Sequence, residues 1–204
     1  MGFEVLDTDL AVESAGIDAG YALDDKTLRA PDVSVGNVPD APGWIQGVPP
    51  LALEYAGTGQ DEDDLQRKIT DLLAAGTRWI WVVRLVGPRR VEVYEPEHAV
   101  RIAGPGEELR APGILQNAVP IEALFDRRVA HEMTLRNLLQ RQGYQSLDEV
   151  RAEAHREGLI EAIEAVCALL ALPLDEARRA ELGRLDATGL RALLTQLRTD
   201  RRWP

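Results

Sequence analysis

The sequence lacks the residues from which most structural metal sites and disulfide frameworks are built. Its 204 residues contain one cysteine, Cys167, and three scattered histidines. A single cysteine excludes a disulfide framework and a cysteine-built zinc site, and so few histidines disfavour a histidine-ligated metal. No apolar run approaches the roughly 18–20 residues of a membrane span, and the first ten residues do not resemble a signal peptide. We therefore predict a cytoplasmic protein that does not interact with membranes.

Basic residues are scarce in the first third of the chain. Residues 1–64 contain fourteen Asp and Glu but only Lys26 and Arg29, a net charge of −12. The whole chain carries −11, so the other 140 residues carry +1. This distribution disfavours a passive nucleic-acid-binding protein, which has clustered Lys and Arg. Clustered carboxylates could hold hard divalent cations, but for most of them a solvated acidic surface is the simpler interpretation.

The distribution of proline divides the chain near residue 126. Ten of the twelve prolines precede this point, where they separate short segments rich in β-branched and aromatic residues. Strands are predicted at 28–35, 51–56, 79–86, 91–94 and 99–103, a helix from the acidic run 61–64 to Gly76, and a helical turn at 119–125. This order predicts an α/β (α+β) fold, in which a mixed sheet is flanked by a crossover helix.

The remainder of the chain has helical periodicity. Helices are predicted at 128–142, 146–171, 176–185 and 187–197, and the second of them begins with the capping box Ser146 to Glu149. We therefore predict two parts, a sheet-containing domain at residues 1–126 and an all-α C-terminal extension at residues 127–204.

Three side chains of the first part are candidates for chemistry. Asp32 begins a strand, Glu54 interrupts the apolar segment LALEYA, and Lys68 lies on the helix that follows. A metal-dependent phosphodiesterase needs acidic ligands for Mg²⁺ and a group that orients or deprotonates water. The main-chain carbonyl of Tyr55, beside the glutamate, is a candidate third oxygen ligand.

Each candidate also has a simpler interpretation. A Pro-Asp pair such as that at Asp32 is common in turns, and Lys68 has the favourable helical spacing to pair with Asp64. Glu54 is the most informative of the three, because an acid among apolar neighbours is costly to bury unless it is paired or binds a cation. If its strand lies at the edge of the sheet, however, Glu54 faces water.

Five short motifs, in this order and with this spacing, resemble the Uma-type restriction endonuclease family, which is abundant in bacteria. They are APDVSV at 30–35, PLALEY at 50–55, DLQRK at 64–68, LAAG at 73–76 and WVV at 81–83. RVEVY at 90–94 and PIEALF at 120–125 are similar to the family's hairpin and terminal segment. The resemblance covers about residues 28–126.

This family belongs to the PD-(D/E)XK nuclease-like superfamily, whose core is a mixed sheet flanked by helices. The resemblance implies that residues 1–126 form a restriction endonuclease-like domain in which Asp32 and Glu54 bind metal. The lysine of the superfamily normally lies two residues after the glutamate, where this sequence has Ala56. The resemblance implies that Lys68, on the next helix, takes over its role of orienting water.

The sequence departs from the family pattern in three places. Family members usually have strands and a long helix before the Pro-Asp strand, whereas only thirty residues precede Pro31 here. Where family members commonly have an aromatic residue after the lysine, this chain has Leu72. Where they usually have an acid after the WVV strand, this chain has Arg84. We therefore expect part of the usual N-terminal segment to be missing, and the partner subunit of a homodimer could complete the site.

Two functions are compatible with these observations. The first is an Mg²⁺-dependent or Mn²⁺-dependent endonuclease that hydrolyses DNA phosphodiester bonds, with Asp32, Glu54 and Lys68 as catalytic residues and Tyr55 as a further metal ligand. The alternative is a catalytically inactive nuclease-like fold that acts as a protein interaction or assembly module. The two acids and the lysine favour the endonuclease, whereas the acidic first third and the lack of a basic groove favour the interaction module.

Overall fold

In the computed structural model, which describes residues 2–204, the chain forms two compact units. One ends at Gln142, and the other spans Gly143–Pro204. The boundary therefore lies sixteen residues after the predicted one at residue 126. The difference arises because the helix Arg127–Arg141 (α3) buries Ala130 and Met133 in the core of the first unit. A helix that covers a sheet has the same periodicity as one in a separate helical unit, so the sequence pattern did not distinguish them.

The first unit contains three helices, one 3₁₀ turn and eleven strands. The helices are α1 (Gly2–Asp7), α2 (Glu62–Ala74) and α3, and the 3₁₀ turn spans Ile121–Leu124. The strands are β1 (Ala15–Ile17), β2 (Tyr21–Ala22), β3 (Leu28–Arg29), β4 (Val33–Val35), β5 (Ile45–Gln46), β6 (Leu51–Ala56), β7 (Trp79–Arg84), β8 (Arg90–Tyr94), β9 (Arg101–Ala103), β10 (Glu108–Leu109) and β11 (Val119–Pro120).

The main sheet is mixed, with the strand order β1-β4-β6-β7-β8-β9. β6 and β7 are parallel and are joined through α2, whereas the other neighbouring pairs are antiparallel. β3-β2-β5 and β10-β11 form two small separate sheets. The predicted mixed sheet with a crossover helix is therefore confirmed. β6 and β7 lie in its centre, as expected for strands whose residues are nearly all apolar.

The two faces of the sheet pack against different helices. Leu53 and Trp81 point towards α1, α3 and the 3₁₀ turn, where the larger core lies. Ala52 and Ala56 of β6 point to the opposite face, which the apolar side of α2 covers. Because side chains alternate along a strand, Glu54 shares the α2 face with these two alanines.

The N-terminal third differs most from the prediction. The strand predicted at 28–35 is divided into β3 and β4, which belong to different sheets. Pro31 lies at the break, and a proline has no N–H to continue a ladder. The short elements α1 and β1 were not predicted at all. α1 has six residues and β1 has three, which are too few to show a hydrophobic period.

Arg141 at the end of α3 holds the C-terminal end of α1 in place. Its guanidinium donates hydrogen bonds of 2.8–2.9 Å to the carbonyl oxygens of Asp7, Thr8, Asp9 and Val12. A helix of six residues leaves most of its carbonyls without an internal donor, and it is not stable by itself.

Replacing Arg141 with Ala is expected to lower the free energy of unfolding by roughly 1–3 kcal/mol, because charged hydrogen bonds to several backbone carbonyls are lost. Urea denaturation measures the change. Arg128→Ala on the same helix is the matched control, since Arg128 pairs only with the exposed Glu132 at 2.6 Å. That control is expected to cost less than about 0.5 kcal/mol. Equal losses in the two variants would contradict the role given to Arg141.

The second unit is entirely helical, as predicted for this part of the chain. It consists of α4 (Leu147–Leu169), α5 (Glu176–Arg184) and α6 (Ala187–Asp200). The side chains of Ser146, Asp175 and Asp186 cap these helices by accepting hydrogen bonds from backbone N–H groups of the first turn. Their common core consists of Ile163, Cys167, Leu182, Leu190, Leu193 and Leu197. Within residues 2–204, no helix combines the length and apolar character needed to cross a bilayer.

Candidate active site

The candidate site is built around the buried carboxylate of Glu54. Glu54 lies in the middle of a central strand, beneath α2, and only 4% of the residue is exposed. The alternative that Glu54 faces water from an edge strand is therefore wrong, because β6 lies between β4 and β7. A buried carboxylate is costly unless it has a charged or hydrogen-bonded partner.

Lys68 of α2 provides that partner. Its ammonium Nζ donates to both carboxylate oxygens of Glu54, at 3.0 and 2.9 Å, and to the carbonyl oxygen of Ala30 at 3.2 Å. The alternative pairing with Asp64 does not occur, since Asp64 pairs with Arg67 instead. Leu65 and Ile69 on either side of Lys68 are buried against the sheet, so the lysine stem enters the interface between helix and sheet.

Local sequence signals determine where α2 begins and ends. The Asp61 side chain caps the helix by accepting a hydrogen bond from the Asp64 N–H at 3.0 Å. Gly76 follows the C-cap with a φ of 114°, a left-handed conformation that favours glycine. Both ends agree with the sequence prediction. The start of the helix in turn determines that Lys68 lies about two turns along it.

Asp32 lies beside Glu54, immediately before the neighbouring strand β4. The register pairs Val33 with Leu53, so the next pair in the same ladder is Asp32 and Glu54. Directly opposed residues of antiparallel strands point to the same face. The Asp32 Oδ2 atom accepts a hydrogen bond from the Tyr55 N–H at 2.6 Å. Its Oδ1 atom accepts no hydrogen bond from residues 2–204 and is free to bind a ligand.

The backbone of Tyr55 borders the same space. Continuing the β4–β6 register places Pro31 opposite Tyr55, and a proline cannot donate a ladder hydrogen bond to the Tyr55 carbonyl. The Tyr55 ring points to the opposite face of the sheet, where its hydroxyl accepts a hydrogen bond from the Gly2 N–H at 3.1 Å. Only the main chain of Tyr55 can therefore contribute to the site.

Asp18 is a third acid near the site, and the sequence analysis missed it. β1 pairs Ile17 with Val33, so Asp18 follows at the position opposite Asp32, and its N–H donates to the Asp32 carbonyl at 3.2 Å. Asp18 has a φ of 51°, a left-handed conformation that aspartate tolerates better than most residues. No sequence signal identified it, because β1 itself is too short to be predicted.

These charges alter the titration of Glu54. Burial raises the pKa of its carboxyl from 4.5 to about 7, although the hydrogen bond and charge of Lys68 oppose the shift. The negative charges of Asp32 and Asp18 add to the increase. A carboxyl whose pKa is raised towards neutral by burial and neighbouring charges is typical of functional sites. The negative potential that raises this pKa also favours the binding of a cation.

The donor atoms suit a hard divalent cation. Two carboxylates and one carbonyl are oxygen donors, and Mg²⁺ is usually bound through one or two carboxylates while it keeps several waters. Within residues 2–204, no group of three or more His, Cys, Asp and Glu side chains is placed to hold a metal ion. A cation here would therefore depend on water or substrate oxygens to complete its coordination.

One solved structure with a similar fold is a crystal structure of a protein of DUF820 from Anabaena variabilis ATCC 29413, described as a "putative nuclease". The TM-score is 0.53 at 19% sequence identity, and the similarity covers 61% of this chain and 75% of that one. This similarity supports a nuclease-like fold. No family model matches the chain. No curated protein matches it either.

Proposed function

We propose that the chain is a metal-dependent endonuclease of the Uma type that hydrolyses DNA phosphodiester bonds. The observation that carries the proposal is the buried Glu54 carboxylate, which is bound by Lys68 from the crossover helix and lies next to Asp32 on the adjoining strand. Burial and the two neighbouring aspartates raise the pKa of Glu54 although Lys68 lowers it, a combination that supports a functional role for this carboxyl. The nuclease-like fold is consistent with the same function.

Each residue has a distinct role in this proposal. Asp32 and Glu54, with the Tyr55 carbonyl, would hold Mg²⁺ or Mn²⁺. Such a cation would lower the pKa of the water molecule bound to it and would neutralise the negative charge that develops on the phosphate. The Lys68 ammonium can donate a hydrogen bond to the attacking water or to a phosphate oxygen, which orients the water and stabilises developing negative charge.

DNA is proposed as the substrate on the basis of the nuclease-like fold. The net charge of −12 in residues 1–64 gives this part of the chain no electrostatic attraction for a polyanion. Bound divalent cations would offset part of that charge at the site. A second subunit of a homodimer, which we also propose, could provide a basic surface.

Calorimetric titration of Mg²⁺ and of Mn²⁺ tests the proposed site. The wild-type protein is expected to bind Mn²⁺ and to cleave plasmid DNA in its presence, whereas Asp32→Asn/Glu54→Gln is expected to do neither. Glu13→Gln/Asp40→Asn is the matched control, since it removes the same charge from exposed acids of the acidic segment. Binding that survives in the site variant, or that is lost in the control, would contradict the assigned ligands.

The same experiment distinguishes the alternative function. A wild-type protein that binds neither cation and cleaves neither plasmid nor single-stranded DNA would reject the endonuclease proposal. The fold would then be better explained as an inactive nuclease-like module for protein interaction or assembly.

A further inference from the structure

Arg84 connects the crossover helix to the sheet at a second point, outside the site described above. This residue ends β7, on the strand that neighbours the strand of Glu54, and its side chain is 13% exposed. Its guanidinium donates two hydrogen bonds to the Glu62 carboxylate at the first residue of α2, at 2.8 and 2.7 Å. Bidentate arginine–carboxylate pairs restrict orientation as well as distance.

The position of Arg84 is itself determined by the sheet. Glu92 of β8 is buried, and its two oxygens accept hydrogen bonds from Arg84 at 2.8 Å each. The Tyr94 hydroxyl donates to the same carboxylate at 3.1 Å, and Arg90 lies 3.5 Å from it. The guanidinium is therefore held on the sheet side and presents its remaining donors to α2.

Two ionic contacts thus anchor one helix to two adjacent strands. Glu62 binds Arg84 of β7, and six residues further on Lys68 binds Glu54 of β6. Six helical residues correspond to about 9 Å along the axis. The apolar contacts between these two anchors hold the helix against the sheet. Because such contacts are not directional, they only weakly restrict the helix from sliding along its axis or rotating about it.

We propose that Arg84 is a positioning residue for Lys68: by holding Glu62, it sets the axial position and rotation of α2 and so keeps the Lys68 ammonium on Glu54. Arg84 itself does not contact the reacting groups. The importance of the anchor for catalysis rests on the proposed nuclease function, whereas its effect on Lys68 does not.

The variant Glu62→Ala tests this proposal, because it breaks the contact to the helix and leaves the Arg84–Glu92 pair within the sheet. Asp63→Ala is the matched control. It removes the same charge from the next residue of the same helical turn, and Asp63 forms no ion pair with any residue in the range 2–204. Glu62 is 52% exposed in its side chain, so neither variant is expected to prevent folding.

Two measurements are made on both variants. The first is steady-state cleavage with Mn²⁺, in which Glu62→Ala is expected to lower kcat about tenfold at unchanged KM, because a catalytic group is misplaced. The second is the NMR signal of the Lys68 ammonium in ¹⁵N-lysine-labelled protein. The chain contains only two lysines, Lys26 and Lys68, so Lys26→Arg assigns the signal. Loss of the Lys68 signal is expected in Glu62→Ala but not in Asp63→Ala.

The two measurements separate the proposals. If Glu62→Ala and Asp63→Ala give the same kcat and the same Lys68 signal, the positioning role of Arg84 is rejected while the nuclease function stands. If the wild-type protein does not cleave DNA, the proposed function is rejected, and the Lys68 signal alone decides whether Arg84 positions the lysine. A larger loss of melting temperature in Glu62→Ala than in Asp63→Ala, with kcat and the Lys68 signal unchanged, would indicate a merely structural contact.

Discussion

Replacing Glu54 with Gln is expected to abolish metal-dependent cleavage and, at the same time, to make the metal-free protein harder to unfold at pH 8. The loss of cleavage follows from the loss of a charged metal ligand. The gain in stability follows from the raised pKa of Glu54, which means that this environment favours the neutral carboxyl over the carboxylate even beside Lys68, and the neutral amide resembles the former. A catalytic residue that destabilises its own fold is typical of functional sites.

The direction of the pH dependence follows from the raised pKa. Below pH 4.5 the Glu54 carboxyl is protonated in both the folded and the unfolded chain. Between pH 4.5 and about 7 the folded chain retains a proton that the unfolded chain releases. The contribution of Glu54 to the free energy of unfolding therefore falls as pH rises through this window, by roughly 3 kcal/mol in total. The advantage of Glu54→Gln should appear over the same window.

Thermal unfolding of the metal-free proteins at pH 5 and pH 8 measures the difference. Glu92→Gln is the matched control, because Glu92 is also buried and lies in the same row of the sheet, opposite Val82. Burial acts to raise the pKa of Glu92, but hydrogen bonds from Arg84 outweigh it and lower the pKa below its ordinary value. Glu92→Gln should therefore destabilise the protein at pH 8. A destabilised Glu54→Gln would show that Glu54 serves mainly as a structural ion pair.

Removing the ammonium with Lys68→Met is expected to reduce cleavage by roughly 10²–10³-fold, the usual effect of losing one donor that stabilises developing charge. Lys68 also lowers the pKa of Glu54, so without it this carboxyl should remain protonated above pH 7. Protons then compete with the metal, and Mn²⁺ affinity at pH 7 should fall. The affinity should recover as pH rises, because the carboxylate then ionises.

Mn²⁺ titrations between pH 6 and pH 9 test this second prediction. Lys26→Met is the matched control, since Lys26 is exposed and is the other lysine of the chain. Its variant should retain both the affinity and the pH profile of the wild-type protein. A Lys68→Met variant with unchanged cleavage would exclude Lys68 from catalysis, and one with an unchanged pH profile would show that the lysine does not control the titration of Glu54.

Part of the site could be predicted from sequence because its signals are local. The acidic run 61–64 and the glycine at Gly76 delimit α2, and the apolar run around Glu54 identifies a strand. Pro31 marks the strand break that leaves Asp32 immediately before β4. Each of these signals acts within a few residues and depends on backbone conformation or burial.

The scarcity of lysine is a further signal in the sequence. The chain contains 21 arginines but only two lysines, and one of these is Lys68. An ammonium is a compact charge on a flexible stem, whereas a guanidinium is a broad planar fork. A rare lysine beneath a predicted strand that carries an acid in an arginine-rich chain therefore favours a site that needs the smaller group.

The sequence by itself determined the order and the ends of the main elements, since helix caps, alternating strands and proline breaks depend on neighbouring residues. Only the tertiary structure decided that Asp18 and Asp32, just beyond the ends of β1 and β4, lie near Glu54 of β6, since strand register links residues far apart in the chain. It also decided that α3 packs on the sheet-containing unit and that Arg84 holds the start of α2. These contacts depend on which surfaces meet, and such long-range pairing leaves no period or motif in the sequence.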